Sequence, residues 1–396
     1  MRPCYGARVR VQSITLSRGA ADAVRRGHPW VYRDQITGDV SGATTGDELS
    51  VLEDGKPLAR ALFDADSPLA LRVWTRGEAI DPSLFAKRAA SAIAIRSALF
   101  SDGRTTAYRL IHGEGDRMPG VVVDLYGDVA VLRLDGAAIA SRIEPIVGAI
   151  WPLIRDRAKT LLLRRTDRAE GDKTTVVEGP NAPEHIEVTE HGVRFVVDVL
   201  RGQKTGAFLD QRENRARVGA MARGKRVLNL FSYAGGFSLH AALGGATRVT
   251  SVDIAAAAHA TAQASFRASG VDPGKHAFIA ADAYAFLDNA LRKREQYDLV
   301  ISDPPSFAPA EKAVPRALAA YKKLHYACVR VLAEGGTFCA SSCSSHIGAA
   351  RFMSTLDDAS LGTSALRLAA LHGHPEDHPT LAAWPEGAYL KMAVLR

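Results

Sequence analysis

The C-terminal half of the chain alternates between short apolar runs and helical segments, and this pattern restricts the fold more than any other feature. Between residues 226 and 342, five β-like runs alternate with four helical segments. Such alternation predicts an α/β domain with a doubly wound, mostly parallel sheet. Ligands of these sheets bind at the carboxyl ends of the strands. We therefore expect the functional site at the ends of these five strands.

Two further units precede this sheet in a chain of 396 residues, which is long enough for three domains with cores of their own. Residues 1–78 hold short strands separated by Asp, Gly and Pro turns, which predicts a small β-rich domain. Residues 79–198 mix helical and strand patterns and end in a hairpin with a turn at residues 191–192. These features predict a central α+β domain, followed by the α/β domain over residues 199–396.

The composition excludes several classes of protein. Hydrophobic residues make up 47% and charged residues 23%, which rules out a mainly disordered chain. The most apolar long run, residues 137–154, contains Arg142, Glu144 and Pro145, so we expect neither a membrane span nor a membrane partner. The four cysteines form no CxxC pair, which predicts neither a disulfide framework nor a metal site. A reducing, cytoplasmic setting is expected.

Positive charge is concentrated in one short segment. The net charge is +7, and residues 201–226 hold eight basic side chains against only Asp210 and Glu213. A local excess of this size is typical of a surface that binds a polyanion. An ordinary solvated helix face explains the same pattern, and charge alone does not decide between the two interpretations.

Glycines and acids follow successive strands of the predicted sheet. Gly235 and Gly236 allow close approach of a ligand to a helix N-terminus, but the turn lacks the G-x-G-x-x-G pattern of NAD or FAD sites. Asp253 is placed to accept hydrogen bonds from both hydroxyls of a ribose, and Asp282 is placed to meet an adenine edge. Asp303 begins an Asp-Pro-Pro loop. Each acid alone is often only a helix cap, but together they resemble class I methyltransferases, which use S-adenosylmethionine.

Cys343 follows the fifth strand, beside the Asp303 loop of the neighbouring strand. A thiolate that adds to C6 of a pyrimidine makes C5 able to accept a methyl group, and later elimination frees the enzyme. Cys343 therefore suits a nucleophile and Asp303 a group that holds the base, whereas Cys339 lies deeper in the strand. The alternative for Cys343 is a small buried hydrophobic residue. Attack requires a thiolate, so we expect the site to lower the thiol pKa or to remove the proton during attack.

Motifs along most of the chain resemble the RlmI-type ribosomal RNA cytosine-5 methyltransferases. The segment at residues 27–32 is similar to the start of a PUA RNA-binding domain, and residues 112–124 are similar to the central domain of that family. The remaining motifs are Gly-Ala-Phe-Leu-Asp-Gln-Arg at 206–212, Leu-Asn-Leu-Phe-Ser-Tyr-Ala-Gly-Gly-Phe-Ser at 228–238, Asp-Pro-Pro at 303–305, Ser-Cys-Ser at 342–344, Asp-His-Pro at 377–379, Pro-Glu-Gly at 385–387 and Tyr-Leu-Lys at 389–391.

The resemblance implies that S-adenosyl-L-methionine is the cofactor, Cys343 the nucleophile and Asp303 the residue that orients the base. Ser306 is a departure, because the family usually has Lys there and many other RNA cytosine-5 methyltransferases place a second Cys there for product release. We expect Trp30 and three arginines of the basic segment to contact RNA. The expected cofactor contacts are Phe208, Asp210, Gln211, Asn229, Phe231, Ser232, Gly235, Gly236, Asp253, Ile254, Asp282, Ala283 and Asp303, and the expected RNA contacts are Arg212, Arg215, Arg217 and Trp30.

The expected function is formation of 5-methylcytosine in large-subunit (23S) ribosomal RNA. A uracil-5 methyltransferase is the nearest alternative, although those enzymes normally follow their Cys with Asn-Pro, and Ser344-Ser345 stand here. An N-methyltransferase would not need Cys343, and a small-molecule C-methyltransferase would not need a PUA-like domain. A non-catalytic PUA RNA-binding protein would not need the glycine turn and the three acids. The sequence leaves the oligomeric state open, a homodimer included.

Overall fold

The first sheet is formed by the N-terminal part of the chain. The computed structural model describes residues 11–165 and 173–396, so Cys4 lies outside the described residues. Its elements are β1 (Gln12–Thr15), α1 (Arg18–Arg26), β2 (Trp30–Tyr32), β3 (Glu48–Glu53), β4 (Lys56–Phe63) and β5 (Leu69–Thr75). The five strands pair in the order β1-β3-β4-β5-β2. Helix α1 is capped at its C-terminal end by Gly27, whose φ of 106° favours glycine.

The second sheet pairs in the order β10-β9-β8-β7-β6. Its helices α2, α3 and α4 pack in one core on one face of the sheet, and the hairpin strands pack on the other face. The first of these helices begins after Asp81, whose carboxylate accepts a hydrogen bond from the backbone N–H of Leu84. The elements are α2 (Pro82–Leu99), β6 (Ala107–His112), β7 (Val121–Tyr126), β8 (Val129–Leu134), α3 (Ala137–Ala140), α4 (Ile143–Ile154), β9 (Thr160–Arg165) and β10 (Lys173–Glu178).

A hairpin of β11 (His185–Glu190) and β12 (Val193–Asp198) follows, as the turn signal predicts. Both turn residues, His191 and Gly192, have positive φ, which matches the twist of a two-residue hairpin. The backbone N–H of Thr106, the residue before β6, donates to Thr189 O of β11. The first and last predicted domains thus contain one sheet each, and the predicted central domain contains the second sheet and the two-stranded hairpin, while the domain limits themselves stay a prediction.

The third sheet has seven strands in the order β15-β14-β13-β16-β17-β19-β18. Its first five strands are parallel, which confirms the predicted fold class. The last two pair antiparallel and were not predicted. The elements are α5 (Arg212–Met221), β13 (Arg226–Leu230), α6 (Gly236–Leu243), β14 (Arg248–Asp253), α7 (Ala256–Ala268), β15 (Ala277–Ala280), α8 (Ala283–Arg292), β16 (Tyr297–Ser302), α9 (Val314–Arg330), β17 (Leu332–Ser342), α10 (Ala349–Met353), α11 (Asp358–Leu361), β18 (Leu368–His372) and β19 (Lys391–Leu395).

Alternating side chains of β17 enter two separate cores, one on each face of the third sheet. Phe338 and Ala340 pack with α8 and α9, whereas Cys339 packs on the opposite face with α5 and α6. This period of two is the strand geometry that buries a sheet on both faces. The C-terminal end of β17 is thereby held rigidly where Cys343 begins the next loop. No helix among the described residues has the length and hydropathy to cross a membrane.

Candidate active site

The carboxyl ends of β13, β14, β16 and β17 meet at one cavity, as parallel strands of this topology require. The cavity has a volume of about 760 Å³, within the range of small-molecule sites. Its lining contains ten of the fourteen predicted cofactor and catalytic residues. These are Phe208, Asp210, Gln211, Phe231, Ser232, Gly236, Asp253, Ile254, Asp303 and Cys343.

The other four predicted residues lie behind or beside the cavity. Asn229 is buried and donates to a serine hydroxyl of α6 at 2.9 Å. Gly235 has a φ of 75°, and a Cβ there would lie 2.7 Å from the side chain of Ala262 in α7. Asp282 is exposed and caps α8, while Ala283 is buried in its first turn. Contact of Asp282 and Ala283 with adenine stays a prediction.

Asp253 holds the glycine turn in an unusual conformation. Phe231 and Tyr233 both have positive φ, at 58° and 46°, which is costly for aromatic residues. Asp253 Oδ2 accepts from the backbone N–H of Tyr233 at 2.7 Å, and Oδ1 accepts from that of Ala255 at 2.9 Å. A carboxylate can accept about four hydrogen bonds. Asp253 therefore keeps capacity for a ligand, at the rim where Ile254 is 77% exposed.

The hairpin contributes a wall of the cavity that was not predicted. Phe195, Val196 and Val197 line the cavity, and the backbone N–H of Val196 donates to Ser265 Oγ of α7 at 3.0 Å. The apolar residues of β12 were the sequence signal for this wall, because a hairpin exposed to solvent on both faces would not need so many of them. The hairpin belongs to the predicted central domain by sequence but shapes the cavity of the third sheet.

Two arginines predicted to contact RNA are instead buried in ion pairs. Arg212 donates from Nη1 and Nη2 to the two carboxylate oxygens of Asp377, at 2.9 and 2.8 Å. Arg215 donates from Nε to Glu190 Oε1 at 2.7 Å. Burial acts to raise the pKa of Glu190, but the charges and hydrogen bonds of Arg215 and His240 outweigh it, so the pKa is lowered overall. The prediction was wrong for both arginines, because their charges are neutralised inside the protein and cannot reach a phosphate.

The other two predicted RNA contacts differ from each other. Arg217 is partly exposed and donates to Asn214 Oδ1 at 3.3 Å, so its contact with RNA stays a prediction. Trp30 donates from Nε1 to Glu114 Oε1 at 2.8 Å, and its ring lies 5.0 Å from that of Trp384 in an edge contact. The indole joins the first sheet to the C-terminal loop but is only partly buried, so contact of its ring with RNA stays a prediction.

Asp303 is held by a short chain of amide side chains. Gln211 donates from Nε2 to Asp303 Oδ1 at 2.9 Å, and Asn214 donates to Gln211 Oε1 at 2.6 Å. Enclosure by the protein, together with the nearby carboxylate of Asp210, raises the pKa of Asp303 to about 7. A substantial fraction of Asp303 therefore carries a proton at neutral pH and is able to donate a hydrogen bond.

Asp210 stays ionised beside it. Tyr389 donates its hydroxyl to Asp210 Oδ2 at 2.7 Å, and Lys204 Nζ lies 3.4 Å from the same oxygen. Burial acts to raise the pKa of Asp210, but Lys204 and the other positive and donating groups around it lower the pKa overall. Among the described residues, Asp210 Oδ1 and Ser232 Oγ are buried without a hydrogen-bond partner. Both residues line the cavity and so offer polar atoms to a ligand.

Cys343 lines the cavity with its thiol 3.9 Å from Pro304 O, next to Asp303. Burial and the charge of Asp303 raise the thiol pKa to about 11. This direction is opposite to the lowered pKa expected from sequence, and removal of the proton during attack stays a prediction. Cys328 and Cys339 are fully buried in the cores, and burial raises the pKa of each to about 12. Ser306 is exposed and does not line the cavity.

A second cavity, of about 770 Å³, lies between the first sheet and the loop that follows Cys343. Tyr32 and Gln35 form one side, and His346 and Arg351 form the other. The described residues contain no group of His, Cys, Asp and Glu side chains that could hold a metal ion.

Comparisons with known proteins agree with this architecture. A family model described as an S-adenosylmethionine-dependent methyltransferase matches residues 143–386, and a PUA-like domain model matches residues 14–76. "Ribosomal RNA large subunit methyltransferase I" of Aliivibrio fischeri is 34% identical over 389 residues, 96% of this chain and 98% of that protein. "Ribosomal RNA large subunit methyltransferase" of Deinococcus radiodurans is 37% identical over 398 residues, 97% of each chain.

A solved structure of a candidate methyltransferase, SMU.776, complexed with SAH is also similar. It covers 97% of this chain with a TM-score of 0.87 and 25% sequence identity, and all of that chain is matched. Fold, cavity and family models thus define an S-adenosylmethionine-dependent methyltransferase with a PUA-like domain at its N-terminal end. The chain belongs to the family of the ribosomal RNA large subunit methyltransferase I proteins, which confirms the resemblance and the cofactor predicted from sequence.

The buried ion pairs lead to a prediction about stability. Arg215→Ala leaves Glu190 buried without its main partner, so we expect the free energy of unfolding to fall by about 3–5 kcal/mol. Arg217→Ala is the matched control on the same helix and should change it by less than about 0.5 kcal/mol, because its side chain is partly exposed. Urea unfolding of both variants measures the difference. Equal stability of the two variants would contradict the structural role of Arg215.

Proposed function

We propose that this methyltransferase forms 5-methylcytosine in large-subunit ribosomal RNA through a covalent bond between Cys343 Sγ and C6 of the base. The observation that carries the proposal is the position of a thiol beside a carboxyl group at one end of the cofactor cavity. Cys343 and Asp303 both line that cavity, and the thiol lies 3.9 Å from the backbone carbonyl oxygen of Pro304, the residue after Asp303. An N-methyltransferase has no use for this thiol.

The residues of the cavity fit S-adenosylmethionine. We assign the ribose to Asp253, which keeps hydrogen-bonding capacity at the rim, and the cationic amino-acid end to Asp210, whose Oδ1 has no partner among the described residues. Ile254 is an apolar side chain exposed at the same rim, suited to cover the adenine. When bound, the cofactor supplies the electrophilic methyl group that C5 accepts.

The state of Asp303 favours cytosine over uracil. N3 of cytosine is a hydrogen-bond acceptor, whereas N3–H of uracil is a donor. With a pKa of about 7, Asp303 is able to donate a hydrogen bond to N3 of cytosine while it keeps its proton. This hydrogen bond draws electrons from C6, so attack by the Cys343 thiolate places the electron pair on C5. Once C5 has accepted the methyl group, loss of the C5 proton to a base and expulsion of the Cys343 thiolate restore the C5–C6 double bond.

RNA is proposed to reach Cys343 through the second cavity. This cavity is bounded by the PUA-like domain at Tyr32 and by the loop that carries Ser345 and His346, just after Cys343. A flipped-out base entering here would pass from the RNA-binding module directly to the thiol. The names of the relatives at 34% and 37% identity support ribosomal RNA of the large subunit as the substrate.

The proposed ribose contact is tested with Asp253→Ala. The loss of charge-assisted hydrogen bonds should weaken S-adenosylmethionine binding by about 1.5–3 kcal/mol per bond. Asp272→Ala is the control, because Asp272 is an exposed carboxylate that caps residues 273–275 outside the cavity. Titration calorimetry of both variants gives the affinities. Unchanged affinity in Asp253→Ala would refute the assignment.

The nucleophile is tested by trapping. RNA that carries 5-fluorocytosine should remain covalently attached to the wild type, because fluorine cannot leave as a proton in the elimination step. Cys343→Ala should abolish both trapping and methyl transfer while it leaves donor binding intact. Cys339→Ala should keep both, since Cys339 lies in the core on the far face of the sheet. Full methyl transfer by Cys343→Ala would instead indicate an N-methyltransferase.

The protonation state of Asp303 predicts a pH-dependent choice of base. Below a pH of about 7 the carboxyl donates to N3 of cytosine, and above it the carboxylate can only accept, which suits uracil. The ratio of 5-fluorocytosine to 5-fluorouracil RNA trapped in competition should therefore fall as the pH rises from about 6 to 8.5. The ratio cancels the part of thiol ionisation that is common to both RNAs and reports the state of Asp303. Asp303→Asn should show a ratio independent of pH, and a pH-independent wild type would contradict the proposal.

A further inference from the structure

Lys391 is a buried cation that the assignments made so far leave without a role. It begins β19 and is only 4% exposed. Within the described part of the chain it forms no ion pair with a carboxylate; its Nζ donates to two backbone carbonyls, Ser344 O at 2.6 Å and Ile347 O at 2.5 Å. A buried ammonium group without a carboxylate is costly, because neutral acceptors replace only part of its hydration. A protein that needed only two hydrogen bonds here could use a neutral donor.

The position of Lys391 follows from the register of the third sheet. Its Cα is paired with that of Ser342 across the antiparallel β17–β19 ladder, and residues directly opposite in such a ladder project to the same face. Ser342 immediately precedes Cys343, and the carbonyls that accept from Lys391 belong to residues 344 and 347. The ammonium group is thus hydrogen-bonded to the loop that follows the thiol of Cys343.

We propose that Lys391 is a positioning residue for the nucleophile: it fixes the loop of Cys343 through two carbonyls, and its charge stabilises the thiolate. This role rests on the proposed function of Cys343. The anion that compensates the buried cation is then the thiolate itself, which exists only when the reaction requires it.

The ionisation of the two groups agrees with this arrangement. Burial lowers the pKa of Lys391 to about 8, while the neighbouring Cys343 acts to raise it. Other titratable groups packed around Cys343 also have to be considered in a pH experiment. Asp303, Asp210 and Lys204 act on the thiol through their charges. Tyr389 and Tyr321 have pKa values that Cys343 raises in part.

The test is the rate of alkylation of Cys343 by iodoacetamide in the protein without RNA, followed by peptide mass spectrometry. Lys391→Gln keeps a hydrogen-bond donor but removes the charge, so at pH 7 we expect alkylation about tenfold slower, equivalent to a rise of about one unit in the thiol pKa. Lys391→Arg should restore the rate. Lys225→Gln is the control, because Lys225 Nζ bonds Thr337 in the middle of β17 and not the loop of Cys343, and the rate should not change.

The pH profile separates charge from structure. In the wild type, the logarithm of the alkylation rate should rise with pH and show a shoulder above a pH of about 8, where Lys391 loses its charge. Lys391→Gln should lose this shoulder and keep only the curvature near a pH of about 7 that ionisation of Asp303 causes in both proteins, and Lys391→Met should do the same if the glutamine variant fails to fold. A profile without a shoulder in the wild type, or an unchanged rate at pH 7 in a folded neutral variant, would overturn the proposal.

This experiment does not depend on methyl transfer. If Cys343→Ala kept full activity, the proposed function would fail, whatever the alkylation rates show. If Cys343→Ala were inactive while Lys391→Gln alkylated at the wild-type rate, the nucleophile would stand and only the role of Lys391 would be refuted. In the expected outcome, Lys391→Gln also lowers the rate of trapping by 5-fluorocytosine RNA while it leaves S-adenosylmethionine affinity within about twofold, since Lys391 does not line the cofactor cavity.

Discussion

The carboxylate of Asp377 joins parts of the chain that are far apart in sequence. It accepts two hydrogen bonds from Arg212 at the start of α5 and one from the backbone N–H of Arg109 in the second sheet. The backbone carbonyl of Asp377 accepts a hydrogen bond from Arg96 Nη2 at 2.8 Å. Asp377 is fully buried, and removing one partner of a buried pair leaves an uncompensated charge. The central domain, α5 and the C-terminal loop are therefore held in one arrangement.

The cavity depends on that arrangement. Arg212 follows directly after Asp210 and Gln211, so anchoring Arg212 directs those two side chains toward the strand ends. The loop that contains Asp377 continues to Tyr389 and Leu390, which complete the site from the other side: Tyr389 bonds Asp210, and Leu390 lines the cavity. Buried charged side chains thus position the residues of the cavity. The apolar cores on the two faces of the third sheet hold the strands that carry the site.

The basic segment shows which part of the site was predictable from sequence. The strand order and the acids at strand ends could be predicted because alternating patterns determine topology and topology determines where the carboxyl ends meet. The fate of the arginines could not, because Glu190 and Asp377 lie 25 residues before Arg215 and 165 residues after Arg212. A partial signal existed: Arg212 and Arg215 are three residues apart, and both share a buried helix face with Val218. The two antiparallel strands were missed because strands joined by a long loop, without a crossover helix between them, lack the βαβ pattern.

Asp303 and Cys343 affect each other in a way that adds to the choice of base. A negative charge on Asp303 raises the pKa of the thiol, so a protonated Asp303 makes the thiolate easier to form. Cytosine retains the proton on Asp303 through its N3 acceptor and thereby removes the repulsion that opposes attack. Uracil offers a donor, favours the carboxylate and keeps the thiol protonated. Under the proposed function, the correct base is thus selected twice, once by its hydrogen bond and once by the nucleophile that this hydrogen bond permits.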